Sequence, residues 1–373
     1  MTATATVTTT RQRRHAVFHE LEVAEVERLT DDAVAVTFAV PPELAGDYAF
    51  TQGQHVTIRS QPVGDPSAEP VRRNYSICAP ATSGRLRIAV KRLEGGAFSS
   101  YVVDHLVAGE KLEVMTPTGR FFTELDPGNL KHYCCIAAGS GITPVLSIVA
   151  TTLEVESQSR VTLLYANRTS RTVMFLEELQ DLKDRYRERF HLVHVLSREP
   201  QEVELFSGRL GAERLQRLLD TLLPVDDVDE WFLCGPHALV TELRDTLRAA
   251  GVDRRHLHAE LFHVESAPPV RRVQAGPRTA SGAAVTLILD GRRSDLTLAQ
   301  DDVPVLEAAL AVRPDAPYAC RGGVCGTCRA KVVEGAVAMD QNWALEPEEV
   351  ERGYVLTCQS HPTSERVVLD FDA

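Results

Sequence analysis

Cys320, Cys325 and Cys328 stand in a C-x4-C-x2-C array, Cys320-Arg-Gly-Gly-Val-Cys-Gly-Thr-Cys, and a fourth thiol, Cys358, lies well downstream. A loop that gathers four thiols must be built round what they hold, so this stretch constrains the fold more than any other. The spacing is that of four thiolates holding a plant-type [2Fe–2S] cluster. Gly322, Gly323 and Gly326 are expected to let the backbone wrap closely, in conformations that a Cβ disfavours. Such a wrap aims amide N–H groups at the sulfurs, which helps set a cluster's potential. The alternative is a structural zinc site, which usually pairs two cysteines with a second pair or with two histidines. Here the fourth cysteine stands alone, which favours the cluster.

Composition sets bounds on the rest. A chain of 373 residues predicts two or three domains. No apolar run approaches the ~20 residues a membrane helix needs. The Thr- and Ala-rich start lacks the apolar core of a secretory signal and reads as a frayed tail. Four of the eight cysteines are assigned to the cluster array. The others (Cys78, Cys134, Cys135, Cys234) sit in apolar or loop contexts, as reduced buried thiols do. This predicts a cytoplasmic protein. The formal net charge of −12 argues against nucleic acid as a partner, because phosphate binding needs a basic face. From residue 283 onward 15 Asp and Glu oppose 8 Lys and Arg. That excess is either a solvated surface or a docking face for a basic partner.

Residues 15–127 alternate and turn like the short strands of an antiparallel β-barrel. Their informative stretches are Arg73-Asn-Tyr75-Ser76 and Gly95-Gly96-Ala-Phe-Ser99. Arg73 offers a planar donor fork suited to a pyrophosphate. Tyr75 offers a ring that can stack on an isoalloxazine, and Ser76 a hydroxyl that can reach a flavin nitrogen. Gly95-Gly96 and then Ser99 read as a loop entering a short helix, whose first N–H groups suit a phosphate.

Residues 128–262 change period. An apolar strand, Tyr133-Cys-Cys-Ile-Ala-Ala, runs into Gly139-Ser-Gly141-Ile-Thr143-Pro144 and then a helical pattern. Strand, glycine-rich turn and helix is a phosphate-binding geometry, although the full G-x-G-x-x-G fingerprint is absent. Further strands alternate with helices, which predicts a parallel sheet in an α/β domain. Asn167-Arg168, Ser197-Arg198 and Cys234-Gly235-Pro236 fall at strand ends, where such sheets bind ligands. Residues 263–282 are Pro-, Ala-, Arg- and Gly-rich and read as a linker. Residues 283–373 read as a small α+β domain, with strands near 284–289, 330–333 and 367–371, a helix over 305–310 and a turn at Asp290-Gly291.

On these residues the first two domains resemble the ferredoxin–NADP reductase family, and the last resembles a plant-type ferredoxin. Reductase first and ferredoxin last is the order of several oxygenase reductases. Arg73-Asn-Tyr-Ser-Ile-Cys, Asn167-Arg-Thr, Val173-Met-Phe-Leu-Glu-Glu-Leu and Leu196-Ser-Arg-Glu-Pro look like the group that serves phenylacetyl-CoA epoxidases. The group serving steroid ring hydroxylases shares the domain order and most motifs.

The resemblance implies that Arg73, Tyr75 and Ser76 bind FAD, with Ser76 near the flavin N5, and that Gly96 and Ser99 lie on its pyrophosphate. Gly139, Gly141, Thr143, Gly235 and Pro236 would meet the nucleotide, with Cys234 near the nicotinamide. Ser76, Cys234 and Glu260 would form the catalytic set. Phe262 replaces the tyrosine of the plant enzymes at the flavin face. Ser197 and Arg198, helped by Arg168, resemble the group that holds a 2′-phosphate, which favours NADPH over NADH. The implied activity is an oxidoreductase that passes electrons from NADPH through FAD and the cluster to an oxygenase. The chain shows no candidate diiron ligand set such as paired Glu-x-x-His helices, so that oxygenase, expected to be diiron, is a separate component. Two rival readings differ in class. One is a non-catalytic electron-transfer subunit, opposed by the intact Gly139–Pro144 and Cys234–Pro236 loops. The other is an iron–sulfur sensor, opposed by the lack of a basic or helix-turn-helix segment.

Overall fold

The computed structural model describes residues 17–60, 70–262, 282–298 and 303–373. The Thr- and Ala-rich start and the linker expected over 263–282 lie outside these residues, Gly282 excepted. The alternation after His19 becomes β1 (Phe18–Thr30), with Leu21 and Val23 buried and Glu20 and Glu22 exposed. Side chains alternate faces along a strand, so one face enters the core. There follow β2 (Ala33–Ala39), β3 (His55–Ser60), β4 (Val71–Ser76), β5 (Leu86–Lys91), α1 (Ala97–Asp104) and β6 (Lys111–Met115). The strands form one antiparallel sheet in the order β4-β3-β6-β1-β2-β5. Its two ends meet: Ile77 bridges Ile88, and the Cys78 N–H donates to the Arg87 carbonyl at 2.9 Å. The sheet thus closes into the expected barrel, which removes exposed edges round a core that includes Val36, Val56, Ile58 and Val114.

The second sheet is parallel. Its elements are β7 (His132–Ala138), α2 (Ile142–Val155), β8 (Arg160–Asn167), α3 (Leu176–Arg185), β9 (Phe190–Leu196), α4 (Ala212–Thr221), β10 (Glu230–Pro236), α5 (His237–Ala249) and β11 (Leu257–Phe262). Strand order is β11-β10-β7-β8-β9. The order reverses between β7 and β10, which is where open α/β sheets leave a crevice for ligands. Helices α2 and α3 cover one face and α4 and α5 the other. The core on the α2 side also takes in Ala33, Ala35, Cys78 and Ala89 of the barrel. Barrel and parallel sheet are therefore packed through a shared apolar layer.

The third sheet is mixed, built from β12 (Ala283–Leu289), β13 (Arg292–Leu298), β14 (Arg329–Glu334), β16 (Tyr354–Leu356) and β18 (Arg366–Asp370), with α6 (Val305–Val312) packed on it. Asp290 and Gly291 both take positive φ, 56° and 65°, as a two-residue hairpin requires. A small second sheet joins β15 (Val337–Met339) to β17 (Ser360–Pro362), and α7 (Pro347–Glu351) stands before β16. These short pieces, like β13 and α4, are absent from the sequence reading. Three-residue strands and a one-turn helix carry no period to detect.

Candidate functional site

A cleft of about 870 Å³ lies where the three sheets face one another. Arg73, Tyr75 and Ser76 come to it from β4, and Gly96 and Ser99 from the start of α1. Thr143 reaches it from α2, and Glu260 and Phe262 from the end of β11. Cys320 and Cys325 of the cysteine loop line it as well. Ten residues expected from scattered motifs therefore share one cavity.

The Tyr75 ring packs against Phe98, with centroids 6.0 Å apart. Arg73 is exposed to the cleft and steadied by one bond to the Arg72 carbonyl at 2.8 Å. Ser99 also has a part in the backbone of its own loop. Its hydroxyl donates to the Gly96 carbonyl at 3.1 Å and accepts from the Leu93 N–H at 3.1 Å, so it shapes the glycine loop itself.

The Ser76 hydroxyl donates to Glu260 at 3.3 Å, joining barrel to parallel sheet. Cys234 is the register partner of Glu260 on the neighbouring strand. Burial pushes the Glu260 carboxyl up to about 7, with the Ser76 bond opposing. Burial, and then the charge of Glu260, raise the Cys234 thiol well above its ordinary value. The set of Ser76, Cys234 and Glu260 thus presents a hydroxyl, a neutral thiol and a carboxyl that can hold a proton near neutrality.

Gly141 and Gly235 explain why this corner needs glycine. A Cβ on Gly141 would lie 2.2 Å from the Cys234 carbonyl oxygen, and one on Gly235 would lie 3.0 Å from the Ala138 Cβ. Gly139 takes φ 53° and accepts, at its carbonyl, the Tyr165 hydroxyl at 3.0 Å. The N-terminus of α2 is thereby pressed against the end of β10. Pro236 closes β10 and is exposed. Arg168, Ser197 and Arg198 lie further along the same sheet edge, outside the cleft lining and exposed. The Arg198 N–H donates to the Arg168 carbonyl at 2.8 Å, so the two arginines leave adjacent strand ends.

The four thiols fall into two pairs. Cys320 and Cys325 hydrogen bond to one another, as do Cys328 and Cys358, and across the pairs Cys325 acts on Cys328 and Cys320 on Cys358 through charge. The bond from Cys325, joined by backbone N–H groups of Gly322, Val324 and Cys325, holds Cys320 down to about 5. Among the described residues no three His, Cys, Asp or Glu side chains converge on a single ion. Two dithiol pairs fit a two-iron cluster better than one tetrahedral zinc. Gly323 and Gly326 take φ 74° and 68°, as expected. Gly322 does not; the preceding Arg321, at φ 54°, takes the left-handed position in its place.

Residues that the sequence did not single out complete the site. His55 lines the cleft, and burial pushes it down to about 4, so the ring stays neutral. Gln359 Nε2 donates to the Arg321 and Cys358 carbonyls at 2.8 and 3.0 Å, tying the cysteine loop to the turn that carries Cys358. Arg72, beside the recognised Arg73, is buried. Its guanidinium lies 3.8 Å over the Tyr318 ring and donates to the Tyr318 carbonyl at 3.2 Å.

A flavin-motif barrel, a nucleotide sheet and a thiol loop that share one cleft define an electron-transfer reductase. Comparison with known proteins agrees, segment by segment. Residues 20–123 match the oxidoreductase FAD-binding domain, 135–245 the oxidoreductase NAD-binding domain, and 287–363 the 2Fe-2S iron-sulfur cluster binding domain. The chain is 45% identical over 357 residues to a subunit of the 1,2-phenylacetyl-CoA epoxidase of Escherichia coli (strain K12), covering 95% of this chain and 98% of that protein. It is 34% identical to the ferredoxin reductase component of 3-ketosteroid-9-alpha-monooxygenase of Rhodococcus rhodochrous, covering 94% and 96%. Among solved structures, phthalate dioxygenase reductase superposes with a TM-score of 0.58 at 24% identity, over 95% of this chain and 98% of that one, and shares the fold. The chain belongs to the ferredoxin-reductase-type oxygenase reductases with a C-terminal [2Fe–2S] domain, the family that includes this phenylacetyl-CoA epoxidase component. Among the described residues no helix is long and apolar enough to cross a membrane.

Proposed function

We propose that this reductase draws electrons from NADPH and passes them through FAD and the [2Fe–2S] cluster to the oxygenase component of a phenylacetyl-CoA epoxidase. The observation that carries the reading is the single cleft lined by Tyr75, Ser76, Glu260 and Phe262 at one part and by Cys320 and Cys325 at another. Bound FAD supplies the conversion of a two-electron hydride into single electrons, and the cluster carries them onward. The protein's own work is position and electrostatics. Arg73 offers its fork to the pyrophosphate, and the Gly96 turn with the first N–H groups of α1 takes its other side. Tyr75 and Phe262 give the ring system apolar walls. Ser76 and Glu260 keep a proton and a hydrogen bond at the reacting end, where Cys234 stays a neutral thiol. Cys320, Cys325, Cys328 and Cys358 hold the cluster as two dithiolate pairs. The domains assigned to these tasks run over 15–127, 128–262 and 283–373, with 263–282 as linker.

Arg168 and Arg198 support NADPH. Both are exposed at adjacent strand ends, and neither has a carboxylate partner among the described residues. One observation favours NADH as a second reading. Glu199 reaches the same edge and accepts from the Ser170 N–H at 2.8 Å, and an acid at such an edge suits a ribose 2′-hydroxyl. The 45% identity to the epoxidase component against 34% to the ketosteroid component supports the choice of oxygenase.

The test is anaerobic mixing with NADPH or NADH, followed by absorbance. Rapid bleaching of the flavin and then the iron–sulfur bands is expected, faster with NADPH. Arg198→Ala should lower kcat/KM for NADPH about tenfold and leave NADH unchanged, as loss of a charge-assisted bond does. Bleaching with neither nucleotide, in protein that dithionite reduces, would leave only the electron-transfer subunit. Oxygen-dependent turnover of phenylacetyl-CoA with the oxygenase component, absent with a steroid hydroxylase component, settles the partner.

A further inference from the structure

The acidic excess of the C-terminal domain is partly used within the chain itself. Glu349, in α7, is 12% exposed at its side chain and accepts both arms of Arg120, which follows the barrel's last strand; the second bond is 2.6 Å. Arg329, the residue after Cys328, brings its Nε within 3.2 Å of the same carboxylate. Glu346, just before α7, pairs with Arg254 of the parallel-sheet domain, and Glu348 lies 3.4 Å from that guanidinium. Trp343 meets His237, the first residue of α5, edge to face at 4.5 Å, and its backbone N–H donates to the Gly323 carbonyl of the cysteine loop at 3.0 Å. Arg120 and Arg254 come from different domains, and both end on one short helix and its approach. Arg329 ties that helix to the residue that follows the cysteine loop, and Trp343 ties the approach to the helix to the loop's middle.

We propose that α7 is the docking element that seats the cluster loop against the flavin cleft, with Glu349 and Arg120 as positioning residues for the electron step between flavin and cluster. In that step one electron leaves the reduced flavin and the cluster is reduced by one; no bond is made or broken. The proposal rests on the electron path put forward above. Bidentate Arg–carboxylate pairs fix orientation as well as distance. This pair joins two domains at their contact, where a lost charge alters how they meet.

The test uses the full holoprotein. Arg120→Glu, Glu349→Arg and the double reversal are compared with wild type by anaerobic rapid mixing with NADPH, reading flavin and cluster bands separately. Amide hydrogen exchange over residues 341–351 is measured in parallel. In each single variant, cluster reduction should slow by about tenfold, flavin reduction should hold its rate, and exchange over 341–351 should rise. The double reversal should recover both signals in part, short of wild type because Arg329 then faces the introduced arginine, and a purely local folding role would allow no recovery. Arg120→Gln guards against misfolding of Glu349→Arg, because it leaves the cluster domain's sequence intact. It should give the slowed cluster step with an unchanged cluster spectrum. Unchanged cluster kinetics in both Arg120 variants overturns the proposal. Loss of the cluster in Glu349→Arg with no effect of Arg120→Gln overturns it too, since Glu349 would then serve only its own domain. Failure of flavin reduction in the wild type is a different result, and it removes the electron path itself.

Discussion

Two glutamates near the cysteine loop have met opposite fates. Glu260 lies in the cleft with one hydrogen-bond partner among the described residues, the Ser76 hydroxyl at 3.3 Å, and burial lifts it to about 7. Glu349 is also drawn out of water, yet it is held below the ordinary carboxylate range: burial works to raise it, and the bonds and charge of Arg120, with Arg329, outweigh that. Burial is common to both, so it does not decide their charge; the partner does. The carboxyl with a weak partner can take up or release a proton near neutrality in the cleft. The carboxylate between two arginines is a fixed anion that joins domains. Perturbed carboxylates mark functional sites only when read with their neighbours.

The largest expected effect separates the two regions altogether. Cys358→Ser removes one thiolate from the Cys328 pair. The iron–sulfur bands should be lost, while flavin stays bound and nucleotide-driven dye reduction continues. An intact cluster spectrum would take Cys358 out of the ligand set. Dye reduction lost along with the cluster would show that the cleft depends on the loop, and the two regions would no longer be independent.

Next in size is Glu260→Gln. Flavin reduction should slow by about a hundredfold, the cost of a misplaced group at the reacting end, with the cluster spectrum unchanged. In wild type the rate should change across pH about 7, where Glu260 gains or loses its proton, and the variant's rate should stay flat there. A wild-type profile flat from pH 6 to 8 would deny Glu260 its titration in the working enzyme.

A third test probes the scaffold beneath this chemistry. Gly141→Ala places a Cβ 2.2 Å from the Cys234 carbonyl oxygen, so β10 or the start of α2 must move. A loss of about 1–3 kcal/mol in stability is expected, the range for forcing extra atoms into a packed site. Thermal unfolding reads it. Gly84→Ala is the control: its φ of 64° gives backbone strain with no atom within 4 Å of a Cβ. If the two cost the same, the steric account of Gly141 is wrong.

What was legible in the sequence follows the same division. Motif residues carry chemistry in their type and spacing, and Arg73, Tyr75, Ser76, Thr143, Glu260 and Cys320 do line one cleft. The long periodic elements were legible too, because alternation in β1 and helical spacing in α2 repeat over many residues. The interface was not. Arg72, Arg120, Arg254 and Glu349 lie in no motif, and an ion pair between residues 229 positions apart leaves no trace in either stretch. The acidic count of the last domain hinted at docking, but it could not tell a partner outside the chain from arginines within it. Gly322 teaches the converse, since a glycine in a rich loop need not be the one that requires the left-handed turn.

The smallest effect tests the comparison at its root, through the pH dependence of stability. Glu260 has a folded-state value of about 7 against an ordinary 4.5. Between those values the folded protein keeps a proton that the unfolded chain has released, so stability falls as pH rises through the window and then levels off. Glu260→Gln should therefore gain stability over wild type at pH 8 and match it near pH 4.5. For Glu349 the sign is reversed. Its folded value lies below 4.5, so its contribution is fully present above pH 4.5 and is lost as pH falls through the folded value. Glu349→Gln should be the less stable protein at pH 7, by about 1 kcal/mol because Arg120 is 54% exposed and solvent screens the pair. The gap should narrow on acidification. Melting temperatures of the three proteins at pH 3, 4.5, 6 and 8 give two slopes of opposite sign if the partner sets the charge, that of Glu349 below pH 4.5 and that of Glu260 above it. Slopes of the same sign would return that role to burial, and the carboxylate at the interface would have to be read as a second titrating group.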